Sequence, residues 1–266
     1  MLTFLMIGAH PDDMDLNCGG TAIRLQKLGH RVIFLSMTNG NAGHMTMTPE
    51  ELRSTRMQEM KEAAQRFGGI RYETMDINDG YLTADIENRD RLIRYIRKEK
   101  PDVIITHRSC DYHPDHRACG QLVMDCSYLV GVPLICPDVP ALRYHPVILL
   151  SEDEFTSPAP FRPDLAVACD AVIEQKIHAV MAHHSQFMEW LAYDGHWDDV
   201  LCARTPEEAD QAVHDRLQRT FAEAVQRFPK AFPEGACFGE VFQVDEYGGK
   251  MTEEIRRAMC GPDPEE

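Results

Sequence analysis

The fold can be inferred from the first twenty residues of the chain, where positions 2–20 read LTFLMIGAHPDDMDLNCGG. The run from Leu2 to Ile7 is apolar at every position except Thr3, which is typical of a short strand buried on both faces of a parallel sheet. A polar loop follows from His10 to Asn17, and the pair Gly19-Gly20 opens a predicted helix that Gly29 ends. A buried strand, a loop and a helix form the first half of a βαβ unit.

The same alternation of strand and helix continues to about residue 130. The sequence predicts further strands at Val32–Met37, Met75–Ile77 (weakly) and Val103–Thr106. Between and after them it predicts helices from Thr48-Pro49-Glu50-Glu51 to Phe67, around Leu92, Ile93 and Ile96 up to Pro101, and over Asp115–Leu129. This spacing indicates parallel crossovers, and therefore an α/β fold with an open, mostly parallel, doubly wound sheet.

The second half of the chain is less regular, and prolines interrupt it repeatedly. Predicted elements are strands at Val147–Leu150, Leu165–Ala168 and Phe238–Val244 and helices at Asp170–Phe187 and Pro206–Phe228. We interpret these elements as C-terminal additions to the sheet. The expected organisation is a single domain over residues 1–266, with a core at 1–130, additions at 131–260 and a tail at 261–266.

Composition argues against several classes of function. The 266 residues carry a formal net charge of −16, whereas nucleic-acid or anionic-membrane partners need clustered Lys and Arg. A hydrophobic content of 44% is too high for a disordered chain. No apolar stretch approaches the ~18 residues of a membrane span. The nine cysteines form no C-x-x-C pair, which is typical of reduced thiols, so we expect a soluble, cytoplasmic protein.

Two clusters of ligand-type residues follow the first and fourth predicted strands. They are His10-Pro11-Asp12-Asp13 and His113-Pro114-Asp115-His116. Ligands of doubly wound sheets bind beyond the carboxyl ends of the strands, so the two clusters are expected to lie close together. Imidazole and carboxylate groups suit zinc and related divalent ions. Either cluster alone could be an ordinary turn, but two of them at two loop mouths favour a site.

The residue types predict an open metal site. A structural zinc is usually bound by four protein ligands, often cysteines, and no cysteine lies in either cluster. His10, Asp13 and His116 supply three ligands and leave a position for water, whose pKa a metal would lower towards about 7. Asp12 is then free to act as a general base, and His113 is placed to stabilise an oxyanion.

These residues belong to a longer set of motifs that resembles the LmbE/PIG-L family of metal-dependent N-deacetylases. The resemblance covers roughly residues 2–190. It is carried by Ala9–Asp13, Gly19-Gly20, Lys100–Val103 and His113–His116, with further matches at Thr38–Gly43, Arg56-x-x-Glu59, Lys176 and His183-x-Ser185-Gln186.

The resemblance implies a Rossmann-like fold, usually a zinc ion, and hydrolysis of an acetamide on an N-acetylglucosamine-type sugar or its conjugate. Another divalent metal such as Fe²⁺ is compatible with the same ligands. Carried over by position, the implied metal ligands are His10, Asp13 and His116, the base is Asp12, and the charge-stabilising histidine or acid is His113. Arg56 matches an arginine that helps hold the sugar in some relatives. The implied partner is a small N-acetylated sugar or glycoconjugate.

Two other functions remain open at this point. Two histidines and one carboxylate also form the facial triad of non-haem iron oxygenases, although a spare Asp12 suits water activation better. A non-catalytic sugar-binding module could share the fold, but it would have little reason to keep all five site residues. The sequence leaves the oligomeric state open, and a homo-oligomer is compatible with it.

Overall fold

A seven-stranded sheet runs through the protein, of which the computed structural model describes residues 1–261. From residue 262 on, the predicted tail lies outside the described residues. The strands are β1 (Thr3–Gly8), β2 (Arg31–Thr38), β3 (Arg71–Ile77), β4 (Val103–Thr106), β5 (Val147–Ser151), β6 (Leu165–Ala168) and β7 (Gly239–Val244). Their order is β3-β2-β1-β4-β5-β7-β6. The first five strands are parallel, and β7 runs antiparallel to β5 and β6.

Helices cover both faces of this sheet. They are α1 (Asp13–Lys27), α2 (Pro49–Arg66), α3 (Ile86–Glu99), α4 (Pro114–Leu129), α5 (Ile173–Val180), α6 (Leu191–Asp194), α7 (Asp198–Leu201), α8 (Pro206–Arg227) and α9 (Glu253–Cys260). A 3₁₀ turn at Asp170–Val172 precedes α5, and a π-helical turn at Ser185–Trp190 precedes α6. The α/β, mostly parallel, doubly wound sheet with C-terminal additions is therefore confirmed.

Strand β1 is buried on both faces, as its apolar run predicts. Phe4 and Met6 pack into the core under α1, α5 and α8, whereas Leu5 and Ile7 pack into the core under α3 and α4. Side chains alternate across a strand, so an unbroken apolar run fills two layers at once.

The predicted loop from His10 to Asn17 was wrong from Asp13 on, because a first helical segment of α1 already begins there. The backbone leaves the helical conformation at Cys18 (φ −147°, ψ 18°), and the helix predicted from Gly19-Gly20 is present as the second segment, where other elements approach closely. A Cβ at Gly20 would lie 2.5 Å from Cys169 Sγ, and one at Gly19 would lie 2.9 Å from a ring carbon of Phe67. These glycines permit close packing of the helix rather than a turn.

The predicted single helix at Asp170–Phe187 was also wrong, because the chain leaves the α-helix after Val180. The backbone N–H and the hydroxyl of Ser185 bind the Glu59 carboxylate at 2.6 and 2.7 Å. Nε2 of His183 lies 2.8 Å from Asp15 Oδ1. These bonds to α1 and α2 take the place of helical ones, and periodicity along one segment cannot reveal them.

The sheet order places a ligand-binding position at the end of β1. Strand β1 lies between β2 and β4, so the connections after β1 and β4 leave on opposite sides of the sheet and open a crevice between them. Within residues 1–261, no helix combines the length and the apolar character that crossing a bilayer requires.

Candidate metal centre

The loop after β1 presents His10 and Asp13 to this crevice. Asp13 is the first residue of α1, and its Oδ2 accepts a 2.7 Å hydrogen bond from the backbone N–H of His10. The strand ends at Gly8, where a Cβ would lie 2.8 Å from the Cβ of Asp13. The absence of a side chain at Gly8 therefore lets the turn fold tightly against the strand end.

The loop after β4 presents His113 and His116. His113 is the N-cap of α4, and its Nδ1 accepts a hydrogen bond of 3.2 Å from the backbone N–H of Asp115. Pro114 occupies the first helical position, where a missing N–H costs nothing. His116 projects from the first turn, and its Nδ1 lies 3.1 Å from Asp111 Oδ1.

The three predicted metal ligands lie within contact distance of one another. His10 Nδ1 lies 3.2 Å from His116 Nε2, although the two residues are 106 positions apart. Asp13 Oδ1 lies 3.4 Å from His116 Nε2, and Asp13 Oδ2 lies 3.6 Å from His10 Nδ1. Ligands bound at about 2.0–2.2 Å to one tetrahedral ion would be about 3.3 Å apart, so these separations suit a shared ion.

Neighbouring groups make the cluster larger than the predicted trio. Sets of three whose ligand atoms lie within 4.8 Å of one another are His10, His113 and His116; Asp13, His107 and His116; and His10, Asp79 and Asp115. His107 stacks on His116 with ring centroids 4.3 Å apart, and its Nε2 lies 2.9 Å from Asp13 Oδ2. This constellation could hold a metal ion.

The charges of the cluster fit a divalent cation. Burial opposes protonation of His10, yet hydrogen bonds to Asp115, Asp13 and Asp79 raise its pKa well above the ordinary value. His116 is also buried, but Asp13 and Asp111 raise its pKa to about 10. The His10 and His116 rings face each other among carboxylates, and His10 Nε2 lies 3.0 Å from Asp79 Oδ1 and 3.4 Å from Asp115 Oδ2. One divalent ion bound here would offset the negative charge that favours protonation of these rings.

Asp12 lies beside the trio and faces a different partner. The residue is 5% exposed, and its Oδ2 accepts a 3.0 Å hydrogen bond from Nη2 of Arg56, which also binds the carbonyl of Pro11. Burial raises the pKa of Asp12 above its ordinary value, and the Arg56 guanidinium limits that rise. The backbone of Asp12 has φ 147°, a conformation that few non-glycine residues adopt.

Arg56 is buried, with only 2% of its surface exposed. Its Nε and Nη1 have no hydrogen-bond partner among the described residues, although Nη1 lies 3.8 Å from Glu59 Oε2. The structure thus places Arg56 against the predicted base. A role in holding the sugar stays a prediction for this residue.

His113 differs from the other histidines of the site in its charge. Burial, together with the nearby His10 and His116, lowers its pKa, so the ring is neutral at pH 7. Because Nδ1 accepts the Asp115 N–H, the ring proton lies on Nε2. His113 can therefore donate a hydrogen bond without carrying a positive charge.

Sequence reasoning overlooked two acidic residues of the site. Asp79 Oδ1 lies 3.0 Å from His10 Nε2, and Asp111 contacts His116. The Asp115 carboxylate accepts hydrogen bonds from the backbone N–H groups of Gly80 and Leu82 and thereby holds the Asp79 loop. Asp79 follows the carboxyl end of β3, so the rule that located His10 would have located it too.

The stretch that contains both loops matches a known family. Residues 5–127 match the family described as PIG-L, GlcNAc-PI de-N-acetylase. The chain contains a PIG-L (LmbE-like) deacetylase domain. All six predicted site residues lie inside the matched part of this PIG-L domain.

Individual relatives of the PIG-L domain are deacetylases by name. The chain is 29% identical over 190 residues to the diacetylchitobiose deacetylase of Thermococcus kodakarensis, which covers 70% of each chain. It is 26% identical over 163 residues to 1D-myo-inositol 2-acetamido-2-deoxy-alpha-D-glucopyranoside deacetylase 2 of Saccharopolyspora erythraea, covering 51% of this chain and 60% of that relative. The solved N,N'-diacetylchitobiose deacetylase of Pyrococcus horikoshii shares the fold, with a TM-score of 0.73, 23% identity and coverage of 92% and 84% of the two chains.

Proposed function

We propose that this protein is a metal-dependent hydrolase that removes the N-acetyl group from an N-acetylglucosamine-type sugar or its conjugate. The observation that carries the proposal is the convergence of His10, Asp13 and His116 from two loops beside a buried carboxylate, Asp12, that is not one of them. The named relatives support the substrate class. Zinc is the metal we propose, and Fe²⁺ would suit the same ligands.

We also propose that residues 1–266 act as one domain in the cytoplasm. Strands from the second half extend the sheet of the first, which supports a single unit. All nine cysteines are free, and five of them are buried, as is usual in a reducing compartment. Assembly into a homo-oligomer stays a prediction.

The proposed metal ligands are His10, Asp13 and His116. A divalent ion bound there would polarise the acetamide carbonyl and make water available as a nucleophile near neutral pH. Asp13 supplies a negative charge, because His116 and His107 outweigh its burial and keep its pKa well below the ordinary value. His107 and Asp111 orient the ligands through their contacts with Asp13 and His116.

Asp12 is proposed to move the proton. Arg56 holds Oδ2, so Oδ1 is the oxygen that takes a proton from the attacking water. The same carboxyl then passes the proton to the amine nitrogen as the carbon–nitrogen bond breaks, giving acetate and a free amine. A raised pKa favours this role, because a base whose pKa lies closer to neutral pH can both accept and return a proton.

His113 is proposed to stabilise the negative oxygen of the attacked carbonyl. In its neutral ring, Nδ1 accepts the hydrogen bond from the backbone N–H of Asp115, so Nε2–H on the other side of the ring is the donor. A donor fixed by the start of α4 needs no reorganisation when charge develops on the substrate.

Acetate release tests the proposed function. Purified protein is loaded with zinc to one ion per chain, incubated with a panel of N-acetylated sugars and glycosides, and assayed for acetate and free amine in parallel. We expect equal amounts of both products, and loss of activity after chelation. Full metal occupancy with no acetate from any member of the panel would contradict the proposal.

Changing His113 to alanine should lower kcat by about 10²–10³-fold, because one preorganised oxyanion donor is lost. Metal content should not change, since His113 is not among the proposed ligands. Metal analysis and kinetics on the same sample check both points, with the exposed His184→Ala as a matched control. Parallel loss of metal and activity would instead assign His113 to the alternative set with His10 and His116.

Changing Arg56 to glutamine should move the acid limb of the kcat/KM pH profile to higher pH. The guanidinium favours the charged form of Asp12, so its removal raises the pKa of that carboxyl and leaves more of the base protonated at a given pH. The profile is compared with that of Arg53→Gln, which lies one turn away and is exposed. A higher KM with an unshifted limb would show that Arg56 binds sugar only.

A further inference from the structure

The loop after β5 lies beside the metal centre, and a buried arginine holds it there. Arg108 directly follows His107, which contacts Asp13. Its Nη1 donates to Asp153 Oδ1 at 2.9 Å, and its Nη2 donates to the carbonyl of Ala159 at 2.6 Å. The segment 153–159 is thus fixed to the same strand end that carries the proposed site.

An aromatic surface connects the metal centre with this loop. The ring of Tyr112 lies 5.8 Å from that of His113 and 5.7 Å from that of His116, and 72% of the residue is exposed. On its other side, Tyr112 lies 6.1 Å from Phe155. An exposed tyrosine between the metal ligands and a second aromatic ring offers a flat apolar surface to a ligand that extends out of the site.

Phe155 borders a cavity of about 320 Å³, which we name the Phe155 cavity. Its wall is formed by Phe155, Thr156, Pro160, Phe161, Arg227 and Phe228 together with Asp153 and Glu154. The volume lies within the range of about 300–1,000 Å³ that is usual for small-molecule sites. Three phenylalanines and a proline make most of this wall apolar.

The charges around the Phe155 cavity disfavour an anionic ligand. Arg227 binds Glu152 at 2.9 Å and Glu154 at 2.5 Å, and Arg108 binds Asp153, so both guanidinium groups already have carboxylate partners. Glu223 faces the same group of acids. Burial is the main cause that raises the pKa of Glu152 to about 7, with Arg227 opposing it. Among the described residues that line the cavity, the one cationic side chain, Arg227, is already paired with carboxylates and is not free to bind a phosphate or carboxylate.

We propose that the Phe155 cavity binds a neutral sugar linked to the N-acetylglucosamine unit that is deacetylated. The apolar face of that sugar packs on Tyr112 and Phe155, and its hydroxyls donate to the carboxylates at the rim. This inference rests on the proposed function and names its substrate class as neutral oligosaccharides. Conjugates with an anionic group in this position are poor substrates.

The test compares kcat/KM for three substrates with the zinc-loaded protein: N-acetylglucosamine, N,N'-diacetylchitobiose and N-acetylglucosamine 1-phosphate. We expect the disaccharide to exceed both others by about five- to tenfold. Phe155→Ala should bring the ratio of disaccharide to monosaccharide close to one through a higher KM, whereas Phe155→Tyr should retain the ratio. The control is Tyr247→Ala, which removes an exposed aromatic ring after β7, at the end of the strands opposite to the loop after β5.

The outcomes separate this inference from the proposed function. Acetate release with no preference for the disaccharide overturns the inference alone. The same holds if the protein prefers the disaccharide and a folded Phe155→Ala variant keeps that preference. Equal turnover of the 1-phosphate also overturns it. No release from any of the three substrates or from the wider panel overturns the proposed function and this inference with it.

Discussion

Replacing Asp12 with asparagine is expected to lower kcat by about 10²–10⁴-fold while the protein keeps its metal, because the variant loses the general base and no proposed ligand. Asparagine is the appropriate replacement for two reasons. It matches the carboxylate in shape, and its amide oxygen can accept the Arg56 hydrogen bond, which leaves an NH2 group that cannot act as a base where the free carboxylate oxygen was. It is also isosteric with aspartate, so it adds no steric demand at a backbone φ of 147°, which few non-glycine residues adopt.

The Asp12→Asn measurement needs kinetics and metal content from one preparation. Metal per chain is determined by plasma mass spectrometry, and kcat is measured at saturating substrate. Asp210→Asn, on the exposed face of α8, controls for the loss of a carboxylate elsewhere. A variant that loses metal in proportion to activity would show that Asp12 is a ligand, and unchanged kcat would remove it from the mechanism.

The second large effect is expected for His116→Ala, which should lose both metal and activity. His116 contacts His10 and Asp13 directly, so its removal deletes one corner of the site. Loss of a residue that only supports a ligand already weakens metal binding by about 10–100-fold, and loss of a ligand itself should exceed that range.

Thermal unfolding with and without zinc measures the effect of His116→Ala on binding. A ligand at 100 times its Kd stabilises the folded state by about 2.7 kcal/mol, so zinc should raise the Tm of the unchanged protein clearly. The variant should show no such rise at the same zinc concentration, whereas His145→Ala, an exposed histidine, should behave like the unchanged protein. A zinc-dependent rise in the variant as large as in the unchanged protein would exclude His116 as a ligand.

The parts of the fold that could be predicted from the sequence are those in which a local pattern is compatible with a single structure. The unbroken apolar run in β1 predicted burial on both faces, and parallel crossovers predicted that His10 and His116 would meet beyond the strand ends. Strand β3 was predicted only weakly because Arg71, Glu73 and Asp76 interrupt its apolar pattern at the edge of the sheet. Its loop, and Asp79 within it, were overlooked for that reason.

The rest of the site depends on contacts between distant segments, which no local pattern records. Ser185 binds Glu59 on α2, and the α-helix has already ended before this residue. The hydrophobic periodicity of the sequence nevertheless continues through this segment, so it predicts one unbroken helix. Likewise, the spacing of Arg56 and Glu59 on α2 does not say whether the guanidinium faces a sugar or a carboxylate. The structure places it against Asp12.

The position of the bound metal decides whether His10, Asp13 and His116 are its ligands. Crystals of the zinc-loaded protein are measured at wavelengths on both sides of the zinc absorption edge, so that the anomalous difference map locates the ion. We predict one strong peak bound by His10, Asp13 and His116, with solvent at the remaining position and Asp12 unbound. A peak held instead by His10, Asp79 and Asp115, or an ion whose every position is filled by protein, would contradict the proposed hydrolysis.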